Sequence, residues 1–301
     1  MGYEGKQGFS CLWVALLKPA RRSNALSSCF SASQEADRIA ARAAGQDAGV
    51  SMLVLMAWVF WILGQVDEAV ARVSAALERA DAVQHSHTHA YAWYYASVLH
   101  ALRGEPAIAQ GYAERCLAIS ERHGFRQWLG LSRAIQGICA AVLDAPAGQL
   151  DEVKTALDEY QCAGYQLGLT AQFVLLCQVL LLRNEPEAAL ELIDHGLSIV
   201  SRNSERFFEA ELYRLKARAV LMRGAPDAEA ESLLDQALRV ARSQQARSLE
   251  LRAATDLAGL WRSQDKRTEA RDVLESIYCR FSEGFDTRDL KEAKVLLAQL
   301  Q

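Results

Sequence analysis

Proline is rare in this chain, 5 residues in 301, and its 7 cysteines include no Cys-x-x-Cys pair. Few prolines leave long stretches in which a helix can run unbroken. An odd number of unpaired cysteines excludes the common disulfide frameworks and zinc ribbons. Cys11, Cys29, Cys116, Cys139, Cys162, Cys177 and Cys279 therefore read as reduced, mostly buried thiols of a cytoplasmic protein. No apolar run approaches the ~20 residues that span a bilayer, so no membrane partner is expected. Phe9 to Leu17 is apolar, but Lys18, Arg21 and Arg22 follow it instead of preceding it, the reverse of a secretory signal. Charge of one sign is also lacking: the net charge of -4 gives no field favouring nucleic acid.

The motifs of common enzyme chemistries are missing too. No Gly-x-x-x-x-Gly-Lys-Ser/Thr loop cradles a phosphate, and neither a Gly-x-Ser-x-Gly elbow nor a His-Glu-x-x-His zinc helix occurs. No cysteine has a recognised nucleophile arrangement around it. The expectation is a protein that is not an enzyme and needs no cofactor.

What is present is a period. The turns Arg103-Gly104-Glu105-Pro106, Leu143-Asp144-Ala145-Pro146, Arg183-Asn184-Glu185-Pro186 and Arg223-Gly224-Ala225-Pro226 place each proline 40 residues after the last. Gly64 extends the series backward and Asp265 forward, the latter with a slip of one residue. A fixed period in this range marks one supersecondary unit stacked on copies of itself. Between turns the apolar spacing is helical: Ala189, Leu192, Ile193, Gly196, Leu197 and Val200 form one amphipathic stripe. Pro106, Pro186 and Pro226 fit helix starts, and Glu105, Glu185, Glu187 and Asp227 place negative charge at that end. Gly124, Gly164 and Gly284 mark a second break on the same grid, with Ser204 and Gln244 in the other slots. Each unit reads as helix A, tight turn, helix B, looser turn.

Small residues recur at fixed points. Helix A carries Ala57, Ser97, Gly137, Cys177, Ala217 and Ala258; helix B carries Ala69, Ala109, Ala189, Ala230 and Ala270. A third column reads Ala76, Cys116, Ala156, Gly196 and Ala237. Such columns let helices approach closely. The 12-residue step from Ala57 to Ala69, Ser97 to Ala109 and Cys177 to Ala189 matches the tetratricopeptide pattern, with a period above its usual ~34 residues. HEAT-like repeats share the longer period and stand as the alternative. The expected fold is all-α: a right-handed superhelical solenoid of antiparallel pairs, with six repeats over about 49–284 and a capping helix over 287–300. Residues 34–45 read as a lone helix B and 1–33 as a poorly structured leader. The array thus opens in mid-repeat, as the tail of something larger would.

The segments 205–216, 245–254 and 283–294 carry a family resemblance. They begin Glu205-Arg206-Phe207-Phe208, Gln245-Ala246-Arg247-Ser248 and Glu283-Gly284-Phe285-Asp286. They resemble the C-terminal tetratricopeptide region of large bacterial signalling proteins, in which an adenylate/guanylate cyclase domain and an AAA-type ATPase precede the repeats. The resemblance is strongest from about 203 to 300 and implies a regulatory or sensory role. It transfers no catalytic residue, because neither the phosphate loop nor a cyclase segment is in this sequence.

In a tetratricopeptide stack helix A lines the concave face. Counting from the small column places Trp58, Trp61, Tyr91 and Tyr94 at one end of that face and Arg214, Arg218, Arg252 and Arg262 at the other. Aromatic and arginine side chains compose binding hot spots, and arginine takes carboxylates bidentately. A protein or peptide with apolar side chains and an acidic or C-terminal carboxylate group is the expected partner. Packing is the competing reading: the tryptophans against neighbouring helices, and the arginines against Glu209, Glu211 and Glu250. A small-ligand sensor with a closed aromatic pocket is the second functional reading, and a truncated remnant the third. His85-Ser86-His87-Thr88-His89 could set His85 and His89 toward one metal, but it falls at a break with no carboxylate or thiol beside it, so an exposed turn is expected. The acids Asp151, Glu152, Asp158 and Glu159 read as a solvated helix face.

Overall fold

The computed structural model describes residues 45–143, 149–162, 168–203 and 205–301, with Ile39, Ala41 and Ala43 singly. The leader over 1–33, most of the half-repeat over 34–45, the Asp144-Ala145-Pro146 turn, Gly164, Ser204, Cys11 and Cys29 lie outside the described residues. Those described form thirteen helices and no strand. In chain order they are α1 (Ala48–Ile62), α2 (Val66–Val83), α3 (Ser86–Leu102), α4 (Pro106–His123), α5 (Arg126–Val142), α6 (Gln149–Cys162) and α7 (Leu169–Leu182). Then follow α8 (Pro186–Asn203), α9 (Glu209–Met222), α10 (Asp227–Gln244), α11 (Arg247–Ser263), α12 (Arg267–Tyr278) and α13 (Arg288–Gln299).

The turns explain the period. Gly64, Gly104, Asn184, Gly224 and Asp265 all have positive φ, so each odd helix from which they follow stops in the left-handed conformation. Gln84, Gly124 and Gln245 do the same after even helices. The slot at the end of α10 is therefore Gln245, not Gln244: the helix runs one residue further before it turns. Pro106 and Pro186 open α4 and α8, where a missing N–H costs nothing. Pro226 stands one place earlier, with extended ψ as the N-cap of α10. At the first described unit, Asp47 caps α1 through Oδ1, which accepts from the Val50 N–H at 2.7 Å. The same carboxylate receives both Arg79 donors of α2, at 2.6 and 3.0 Å, fixing the first helix pair.

Each odd helix packs on its even partner and on the next odd helix, so neighbours stack in order as a helical repeat does. The small-residue columns are where this happens. Ala57, Ser97, Cys177, Ala217 and Ala258 are fully buried, as are Ala69, Ala109, Ala189, Ala230 and Ala270. Cys177 touches its partner column directly, with Sγ 3.7 Å from the Ala189 carbonyl. Gly196 shows why the column must stay small: a Cβ there meets Leu212 Cδ1 at 3.1 Å. The helix α13 packs on α11 and α12 and covers that end of the stack.

The two ends of the described array also meet. Helix α1 packs on α11, and α3 on α7. Ser248 Oγ of α11 donates to the Trp61 carbonyl at 2.6 Å. The Gly284 N–H reaches Asp67 Oδ2 at 3.2 Å, and the Asp67 N–H reaches Glu283 Oε1 at 3.1 Å. The approach is tight: a Cβ on Gly284 falls 1.8 Å from Val66 Cγ2, and Gly284 itself has φ +74. Only glycine fits that position without moving α2.

Candidate functional site

The aromatic residues expected to line a groove lie inside the protein. Trp58, Trp61, Tyr91 and Tyr94 are exposed by only 2%, 1%, 7% and 4%. Side chains of α1, α3 and α7, together with Phe208 ahead of α9, converge on them. Trp58 stands edge-on to Phe208, the residue that precedes α9, at 6.1 Å, and Trp61 lies 6.4 Å from the same ring. Tyr94 accepts a hydrogen bond at its hydroxyl from Gln172 Nε2 of α7 at 2.6 Å. Tyr91 packs on Tyr95 and Trp128, at 4.5 and 5.6 Å. Burial pushes the Tyr91 hydroxyl up to about 12, and it raises Tyr94 and Tyr95 as well. The space beside Trp61 is about 10 Å³, too little for a small effector. The four rings are packed against the protein's own side chains.

The arginines divide in two. Arg214, buried, and Arg252, its side chain 9% exposed, surround Glu211, which is fully buried. Arg214 donates to both Glu211 oxygens, Nε to Oε2 at 2.9 Å and Nη2 to Oε1 at 2.8 Å, and its Nη1 reaches Asp256 Oδ2 at 2.6 Å. Arg252 donates to Glu211 Oε1 at 3.1 Å and to Asp289 Oδ2 at 2.7 Å. Its remaining nitrogen donates to the Leu102 carbonyl of α3, and the guanidinium lies 5.1 Å over the Trp61 ring. Gln178 Nε2 completes the Glu211 shell at 3.2 Å. Burial alone raises a carboxyl, yet the two arginines outweigh it and hold Glu211 at about 2. These two arginines therefore hold α1, α3, α9, α11 and α13 together, each with its charge already matched by two carboxylates. Of the other acids weighed as partners, Glu209 pairs with Arg206, and Glu250 with Arg242 and Arg280.

Arg218 and Arg262 are exposed. Arg262 donates to Gln299 of the last helix. Arg218 makes no ion pair or hydrogen bond among the described residues. It stands on the rim of a cleft of about 120 Å³ at the C-terminal ends of the odd helices, where α13 begins. Arg214 and Arg252 form part of its polar lining; Ile138, Cys139, Val142, Leu175 and Leu182 form its apolar wall.

A feature that pattern reading missed borders this cleft. Val142, Leu182 and Met222 close α5, α7 and α9 at intervals of 40 residues, and they are 37%, 59% and 40% exposed. Their counterparts Ile62 and Leu102 are buried, because α11 and α13 cover the ends of α1 and α3. The column is visible in the sequence as five apolar residues. Which members are covered depends on how the far end of the chain folds back.

The histidine segment is neither an exposed turn nor free of acids. His85 stands at the N-cap position of α3 without a side-chain capping bond, and the first residues of the helix are Ser86 to His89. His89 Nε2 lies 2.9 Å from Asp81 Oδ1, and His87 Nε2 accepts from Trp128 Nε1 at 3.0 Å. Among the described residues no group of three His, Cys, Asp or Glu is arranged to hold a metal. Burial pushes the thiols of Cys116 and Cys139 up to about 11 and 12 and raises Cys177 further, which removes thiolate nucleophiles from the core.

Glu205, ahead of α9, gives a pH-dependent term. It accepts from Thr170 Oγ1 at 2.5 Å, and burial raises its carboxyl to about 7. The folded state holds this proton more tightly than the unfolded chain. Its contribution to stability is complete below the ordinary value of 4.5 and is lost as pH rises through about 7. His87 acts oppositely: burial and the neighbouring His85 lower it, so its contribution is present above 6.5 and fades as pH falls. In Glu205→Gln the first term is gone, so the melting temperature of the variant relative to the parent is expected to rise between about pH 5 and pH 8. A difference independent of pH across that window removes this assignment.

No protein-family model matches the chain, and no curated protein matches it. No helix among the described residues is long and apolar enough to cross a membrane.

Proposed function

We propose that this chain is a tetratricopeptide-like right-handed superhelix that serves as a non-catalytic protein-interaction scaffold. The superhelical reading is supported by the 40-residue period and by the burial of both small-residue columns at the 12-residue step. The observation that carries the interaction reading is the exposed stripe Val142, Leu182 and Met222 beside the cleft and the unpaired Arg218. Apolar side chains next to a cation without a counter-ion suit a protein segment that offers apolar residues and a carboxylate. The surface shifts from the concave groove of the sequence reading to the rim where the odd helices end. The resemblance of 203–300 to bacterial signalling proteins supports a regulatory or sensory place in a cyclase/ATPase-type system, in the cytoplasm.

The test compares proteins captured from the source cell by the parent and by Leu182→Asp, with both melts measured. Leu182 is largely exposed, so its variant is expected to melt within about 1 kcal/mol of the parent in stability. A protein retained by the parent and lost from the variant supports the scaffold at this surface. Identical capture by the two removes the surface from the proposal.

A further inference from the structure

The stripe has a spacing, and the spacing selects the shape of what lies on it. Helices α5, α7 and α9 pack side by side, and Val142, Leu182 and Met222 are equivalent residues on them. Packed helices stand ~8–10 Å apart, so the three side chains form a row of roughly 16–20 Å. A helix rises ~1.5 Å per residue, so side chains at i, i+7 and i+14 repeat every ~10.5 Å along one face. An extended segment advances ~3.3 Å per residue and brings same-face residues round every ~6.6 Å, out of step with the row.

One turn below this row lies a second: Ile138, Gln178 and Arg218, each four residues before its neighbour in the first. The second row is apolar at α5, amide at α7 and cationic at α9, where Arg218 has no counter-ion among the described residues. The other cations of the cleft are already matched: Arg214 by Glu211 and Asp256, Arg252 by Glu211 and Asp289, Arg288 by Glu292. The charge is therefore directional. It favours a partner whose acid lies over α9 and whose opposite end is apolar.

We propose that this rim binds an amphipathic helix of a partner protein, laid across the ends of α5, α7 and α9. Its apolar residues recur at heptad spacing and a carboxylate at one end pairs with Arg218. This rests on the scaffold reading and specifies the partner's chemistry.

The test uses a fluorescent peptide of about 18 residues, helical by design, with leucines at i, i+7 and i+14 and a glutamate pair near one end. Its binding to the full chain is followed by polarisation. Companion peptides move the leucines to i, i+5 and i+10, or replace the glutamates with lysines. The heptad peptide is expected to bind at least tenfold more tightly than the respaced one. Arg218→Glu is expected to weaken it about tenfold, and the lysine peptide to regain that loss on Arg218→Glu. Equal binding of the two spacings, or binding indifferent to Arg218→Glu, overturns the proposal. So does sedimentation showing that Leu182→Asp splits a dimer of the chain, because the rim is then occupied by a second copy. A cellular partner that is lost with Leu182→Asp while the heptad peptide fails to bind overturns the helical occupant and leaves the scaffold standing. Loss of both overturns both.

Discussion

Glu211→Ala is expected to destabilise the protein by about 3 kcal/mol, the lower edge of what breaking a buried ion pair costs. Glu211 is the only anion shared by Arg214 and Arg252 among the described residues, and both side chains are largely shielded from water. Without it two guanidinium groups face each other across a space that water reaches poorly. The cost stays at the lower edge because each arginine keeps an acid, Asp256 for Arg214 and Asp289 for Arg252. At roughly 2–4 °C per kcal/mol for a domain of this size, the melting temperature should fall by about 6–12 °C. Glu211→Gln keeps an acceptor without the charge and should lie between. Added salt should change the loss little, since a buried pair is poorly screened. A fall under about 2 °C in Glu211→Ala refutes the view that this carboxylate holds the helix ends together.

Trp61→Ala is expected to cost about 3–5 kcal/mol, as large-to-small changes of buried aromatics do. Trp61 is 1% exposed, packs 6.4 Å from Phe208 and carries the Arg252 guanidinium 5.1 Å over its ring. The cavity therefore opens between the first described unit and the last. Its local consequence is as diagnostic as the melt. Amide exchange should quicken over Ser248 to Ala254 of α11, where Ser248 and Arg252 meet Trp61 of α1, while α6 stays protected as before. Trp61→Phe, which restores a ring, should recover most of the stability. Protection lost only within α1 and α2 contradicts the closure.

The period, the helix pairs and the small-residue columns were legible because they are local. Spacing of 40, a glycine or asparagine in the left-handed turn, and alanines at fixed points need no knowledge of distant residues. The first odd helix starts at Ala48, one residue from where the repeats were read to begin, and six described helix pairs run from there to the Gly284 turn. Trp58, Tyr94 and Arg214, read as facing a groove, are all buried. The meeting of distant helices was not legible. Which distant helices meet depends on all the packing between them, and no single position encodes it. For that reason a face read as an open groove proves to be packed, with Trp58 against Phe208 and Tyr94 against Gln172. The pairing of Arg214 with Glu211 three residues earlier could be anticipated from helical spacing. The reach of Arg252 to Leu102, 150 residues away, could not. The exposed rim went unread for the same reason: Leu102 and Leu182 look alike in sequence, and only the return of α11 and α13 distinguishes them.

The meeting of Asp67 with Glu283 and Gly284 bears on the order of events in folding. Nearly all other contacts join helices one or two places apart, and such pairs form with little loss of chain freedom. The bond from the Asp67 N–H to Glu283 spans 216 residues. Closing a loop of that length instead of one repeat adds about 1.5 kcal/mol of entropic cost by the logarithmic law. The helix pairs therefore condense first, from any point along the chain, and the two ends of the described array dock last, once the helices between them are packed. In the reverse direction the docked ends act as a clasp. An open stack frays from its terminal units; this one must first part α1 from α11, so its slow step lies at the seam and not at either end.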